Sequence, residues 1–171
     1  MKACVNFYGG PAAGKTTAAA ELYAYLKKDD LNVEMAHEVA KEFVLEENKV
    51  ALSYQLMVWA NQCYRIYTAY RHADILVTDS PILLGAIYNE NASPAFLEVV
   101  MDQYHLFNNI NVVVPRQLQT SHSMSGRIHS LTESISIDNQ IIHLLEKNNI
   151  PYVTYDGDVA ALAQQIYHEL G

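Results

Sequence analysis

The chain is 171 residues long, half of them apolar and 18% charged, with 11 Lys and Arg against 19 Asp and Glu for a net charge of −8. That length fits one domain with a full hydrophobic core, and the acidic balance argues against a grip on long nucleic acid, which calls for clustered positive charge. No apolar run approaches the roughly 20 residues that span a bilayer, and Met1 to Val5 lead into a strand rather than a signal peptide, so a cytoplasmic chain with no membrane partner is expected.

Ala3–Tyr8 is a nearly continuous apolar run, the pattern of a strand buried on both faces. Lys15–Lys28 follows with apolar residues at helical spacing (Ala18, Leu22, Tyr25, Leu26), and Val33–Ala36 reads as a second strand. Two helices are expected over Val39–Glu47 and Ala51–His72, then a third strand at Ile75–Thr78. Pro81 suits the first position of another helix. A further helix is expected over Ala95–Phe107, a fourth strand at Ile110–Val114, and a polar, irregular stretch over 115–130. Ser130-Leu131-Thr132-Glu133 reads as a capping box opening a helix to about Lys147. Pro151–Tyr155 is the last strand, and Asp158 caps a final helix whose Val159, Leu162, Ala163, Ile166 and Leu170 share one face. Such alternation predicts a parallel sheet covered on both sides. Cys4 and Cys63 lie in apolar stretches without Cys-x-x-Cys spacing, and are read as buried thiols.

Gly9-Gly10-Pro11-Ala12-Ala13-Gly14-Lys15-Thr16 matches G-x-x-x-x-G-K-[ST] between a buried strand and an amphipathic helix, the context that gives the motif meaning. In such a phosphate loop (P-loop) the glycines let successive N–H groups turn inward around a phosphate, and the helix adds its N-terminal dipole. ATP with Mg²⁺ is therefore the expected cofactor pair. Gly10, Ala12, Ala13 and Gly14 supply backbone, Lys15 reaches the β- and γ-phosphates, Thr16 ligates the metal, and Thr17 contacts the α-phosphate.

Three classes of P-loop protein compete. A GTPase needs N-K-x-D after a later strand, but Asn48-Lys49 is followed by Val50-Ala51. A motor or AAA-type ATPase usually sets a Glu beside its metal-binding Asp, whereas Asp79 is followed by Ser80, and the chain is short for an oligomerising lid domain. A kinase needs an acceptor site, a carboxylate and an arginine-bearing lid. Asp79, ending the third strand, is the candidate metal ligand, and Glu38, just past the second, the candidate base for an acceptor hydroxyl. Arg116 and Arg127 fall in the 115–130 segment, which reads as a lid over the phosphates. Gln62 and Arg65, on the helix ending at His72, are candidate acceptor contacts.

The phosphate loop, Glu38-Val39-Ala40-Lys41 and Val77-Thr78-Asp79-Ser80-Pro81 resemble the nicotinamide-riboside-kinase-like group of P-loop proteins, as do Gly126-Arg127, Thr132-Glu133 and the Ile137-Asp138 pair. That group includes the ribosylnicotinamide kinase domain of bacterial NAD regulators and phage-encoded kinases. His37 and Lys41 stand where the group often carries arginines. The resemblance implies a single kinase domain over residues 1–171, with a three-layer P-loop NTPase fold, a five-stranded parallel sheet in the order 2-3-1-4-5 and helices on both faces. It implies ATP-dependent phosphorylation of a hydroxyl on a nucleoside-like small molecule, such as a nucleoside or nicotinamide riboside. A nucleoside monophosphate kinase using Lys41, Arg65 and Arg71 stays open, as do an ATP-binding regulatory module without an acceptor and a homodimer.

Overall fold

The computed structural model describes residues 2–29, 31–89, 91–116 and 130–171. Five strands, β1 (Ala3–Tyr8), β2 (Val33–Ala36), β3 (Ile75–Thr78), β4 (Asn109–Val113) and β5 (Val153–Thr154), form one sheet in the order β2-β3-β1-β4-β5. Every pairing is parallel, as the sequence order 2-3-1-4-5 anticipates. The apolar run of β1 takes the centre because all six of its residues are buried, with Val5 beside Val77 of β3 and Ile110 of β4. Parallel strands require crossovers, and helices on both faces supply them.

On one face α1 (Lys15–Lys28) and α8 (Val159–Leu170) cover the sheet, with Leu22, Leu26, Leu162 and Ile166 packed on Val5, Phe7 and Val112. On the other, α4 (Gln55–His72), α6 (Pro94–Tyr104) and α7 (Leu131–Lys147) bring Ile66, Val100, Ile141 and Leu145 onto Cys4, Tyr8 and Leu76. Among the described residues no helix is long and apolar enough to cross a membrane.

The helix expected over Ala51–His72 is two helices, α3 (Lys49–Ser53) and α4, after a short α2 (Val39–Leu45). Asn48 starts α3 early by accepting from the Ala51 N–H at 3.0 Å. Ser53 and Gln55 end it by donating to the Val50 and Leu52 carbonyls at 2.8 and 2.7 Å, side-chain bonds that compete with the helical ladder. The chain turns at Tyr54 (φ −103°, ψ 76°). Pro81 does not begin a regular helix; it precedes a 3₁₀ turn, Ile82–Leu84, and the four-residue α5 (Gly85–Tyr88). The capping box at Ser130 and Glu133 forms as read from the sequence.

Candidate active site

The carboxyl ends of β1, β2 and β3 meet at the phosphate loop, where a parallel sheet opens its crevice. Gly14 lies at φ 97°, a conformation open to glycine, and passes directly into α1, whose N-terminus carries no side-chain cap. Ala12 lies at φ 62°, in the left-handed region that costs a non-glycine residue about 1–2 kcal/mol. Strain of this kind gathers where a loop must present its backbone to a ligand.

Lys15 is half-buried, and its Nζ donates to the Gly10 carbonyl at 3.1 Å. Burial lowers its pKa, while Glu38, Asp79 and Asp138 pull the other way and Arg116 adds to the lowering. Three carboxylates thus face two cations around the loop. A polyphosphate entering here gains from an accompanying divalent cation.

The donor set fits magnesium. Thr16 Oγ1 donates to Asp79 Oδ2 at 2.6 Å, and Asp79, 3% exposed, has its other oxygen buried with no hydrogen-bond partner among the described residues. A hydroxyl beside an unsatisfied carboxylate oxygen offers the hard oxygen ligands that Mg²⁺ takes. No group of three or more His, Cys, Asp or Glu able to hold a metal occurs among the described residues, so phosphate and water would complete the shell.

Glu38 sits at the N-cap position of α2 but does not use its carboxylate to cap the helix. Gln62, buried in α4, does that work: its Oε1 accepts from the Val39 N–H at 2.9 Å. Burial raises the Glu38 pKa, Lys15 opposes the rise and Asp79 adds to it, so the three groups lie within electrostatic reach of one another. Tyr88, at the end of α5, has its pKa pushed up to about 12 by burial and then by the charges of Glu38 and Asp138. The same tyrosine lines a groove of about 360 Å³ with Tyr54, Gln55, Leu56, Asn89 and Asn91. Two phenol rings and three amides make a wall suited to a flat polar ring.

Of the residues named from sequence, Lys15, Thr16, Glu38 and Asp79 come together here, with Gly10, Ala12, Ala13 and Gly14 forming the loop and Thr17 exposed on the first turn of α1. Arg116 lies beside the loop, but its guanidinium is engaged by Asp138 and by the Pro11 and Ser134 carbonyls. Gln62 positions α2, and its Nε2 has no partner among the described residues. Arg65 pairs with Glu42 at 2.8 Å and lines a second groove, of about 640 Å³, that shares no residue with the first. Arg127 and most of the 115–130 segment lie outside the described residues. Sequence reasoning missed Tyr88, for which no signal existed, and gave Asp138 no role although the Ile137-Asp138 pair was in view.

A family model described as an AAA domain matches residues 4–161. No curated protein matches the chain. Among solved structures, thymidylate kinase from Ehrlichia chaffeensis is similar with a TM-score of 0.65 and 17% identity, covering 99% of each chain. The NadR protein in complex with NR is similar with a TM-score of 0.64 and 16% identity, over 92% of this chain and 45% of that one. The chain therefore spans less than half of NadR, and at these identities the likeness is one of fold.

Proposed function

The chain belongs to the AAA-domain family of P-loop proteins, and from that premise we propose that it is an ATP- and Mg²⁺-dependent kinase acting on a hydroxyl of a nucleoside-like small molecule. Membership alone would equally suit an ATPase. The observation that carries the kinase reading is Glu38: a half-buried carboxylate, not spent on capping, within electrostatic reach of Lys15 and Asp79. An ATPase of the motor type sets its water-activating Glu beside the metal-binding Asp, and here Ser80 occupies that position.

In the proposed reaction the acceptor hydroxyl attacks the γ-phosphorus in line, the bond from that phosphorus to the β-bridging oxygen breaks, and ADP leaves. Glu38 takes the hydroxyl proton as the new P–O bond forms. Lys15 gives up the Gly10 carbonyl for the phosphate oxygens, and Thr16 with Asp79 would hold the metal, which neutralises charge on the transferring group. The groove at Tyr54 and Tyr88 supports a ring-bearing acceptor, and Arg127 remains the proposed lid cation. An acceptor that already carries a phosphate needs further positive charge, and Arg65 is committed to Glu42 in another groove. Lys41, by contrast, lies within electrostatic reach of Glu38, so a nucleoside monophosphate is the second reading.

The test is ATP consumption with Mg²⁺ across nucleosides, nicotinamide riboside and nucleoside monophosphates, with products identified by mass. A phosphorylated nucleoside supports the reading. Phosphorylated monophosphates would move the acceptor class, and binding of ATP with no product from any acceptor would favour a regulatory module.

A further inference from the structure

The Asp138 carboxylate, on the second turn of α7, is used twice at the phosphate loop. Its Oδ1 accepts from the Gly10 backbone N–H, and its Oδ2 accepts from Arg116 Nε at 2.8 Å. Arg116 then returns to the loop, donating from Nη1 to the Pro11 carbonyl at 2.9 Å and from Nη2 to the Ser134 carbonyl at 3.3 Å. The ion pair is sheltered, with side chains 15% and 25% exposed, and its charged hydrogen bonds are the strong kind. Gly10 is packed against this cluster. A Cβ there would lie 2.6 Å from the Ser134 carbonyl oxygen and 2.8 Å from Asp138 Oδ1.

Gly10 is also held from within the loop, its carbonyl accepting from Lys15 Nζ at 3.1 Å and from the Ala13 N–H at 3.2 Å. When Lys15 turns to a phosphate, one of these holds is released, while the grip of Asp138 on the other side of the residue persists. Drawing Arg116 away to a phosphate would remove the charged donor from Asp138 Oδ2 and the donor from the Pro11 carbonyl, a cost set by desolvation.

We propose that Asp138 is a positioning residue that keeps the Gly10-Pro11 turn in its binding shape, and that Arg116 acts through Asp138 rather than on the nucleotide. This rests on nucleotide binding at the loop, not on phosphoryl transfer, so binding is the measurement. Calorimetry would compare MgADP and AMP on the wild-type chain, Asp138→Asn, Arg116→Met and the double variant. The expected result for Asp138→Asn is a loss of about tenfold or more in MgADP affinity, the scale of a charged hydrogen bond. AMP, which has no β-phosphate for the loop to grip, should keep its affinity, whereas general damage to the fold would weaken both. The double variant should bind MgADP no worse than the weaker single one, since two residues acting as one unit are not additive.

Unchanged MgADP affinity in Asp138→Asn would overturn the proposal. So would a full further loss on adding Arg116→Met, the mark of a direct phosphate contact. A wild-type chain that binds no MgADP would remove the nucleotide reading together with this one. Hydrogen exchange at the Gly10 amide of the wild-type chain is independent of how the variants fold: protection supports the grip of Asp138, and free exchange refutes it.

Discussion

Glu38 and Lys15 are each less comfortable in the folded chain than in water. Burial raises the pKa of one and lowers that of the other, and their mutual attraction only partly offsets it. Groups held this way are suited to chemistry rather than to stability. Replacing Lys15 by Ala should cut turnover by roughly 10²–10³-fold or more, since a preorganised positive group facing the developing charge is lost; initial rates at saturating acceptor check this. Glu38→Gln should retain MgATP affinity and lose about 10²–10⁴-fold in transfer. Retained transfer would remove Glu38 from the base role. With Glu38 intact, the rate should climb as pH rises through its raised pKa, above the usual 4.5, and the Gln variant should lack that limb. The linkage runs in the matching direction. The folded state binds the Glu38 proton more tightly than the unfolded chain, so this group's contribution to stability is present at low pH and lost as pH rises through the raised value. At neutral pH Glu38→Gln should therefore melt no lower than the parent in a thermal scan.

Elements place these groups through contacts that no sequence window contains. Helix α4 supplies Gln62 to the start of α2, and so fixes the backbone next to Glu38. It also lays Trp59 over the 3₁₀ turn, where the indole Nε1 donates to the Ile82 carbonyl at 3.0 Å and the ring meets Phe96 edge-on at 5.0 Å. Gly85 lets the next turn pass beneath: a Cβ there would stand 2.2 Å from Trp59 Cδ1. Gly85→Ala should displace the indole and destabilise the fold by about 1–3 kcal/mol, as overpacking does. Trp59 is the only tryptophan, so its emission should shift to the red as the ring meets water. An unshifted spectrum with wild-type stability would show that the contact yields freely. Because α5 carries Tyr88, the same substitution should raise the acceptor KM more than the ATP KM.

The whole molecule separates scaffold from site. Two apolar layers, one on each face of the sheet, hold the strands, while Lys15, Thr16, Glu38 and Asp79 gather where β1, β2 and β3 end. Ile166 of α8 is fully buried in the layer beneath α1 and belongs to none of the loop contacts. Ile166→Ala should cost about 2–5 kcal/mol in denaturant unfolding and leave the ATP KM unchanged. A rise in KM at full folding would show that this layer also tunes the loop.

Local pattern alone determined the strands, the phosphate loop, the capping box at Ser130 and the alternation that makes a parallel sheet, because backbone geometry and apolar period are written in neighbouring residues. It also gave Lys15, Thr16, Glu38 and Asp79 as candidates, since each stands directly after a strand or within the loop. The break at Tyr54, the pairing of Arg65 with Glu42, the use of Gln62 as a strut for α2, the approach of Tyr88 to Glu38 and the double grip of Asp138 were decided only by tertiary structure. Asp138 and Gly10 are 128 positions apart. A hydrogen bond between such residues depends on where the packed core carries their backbones, and a linear sequence has no local term for that.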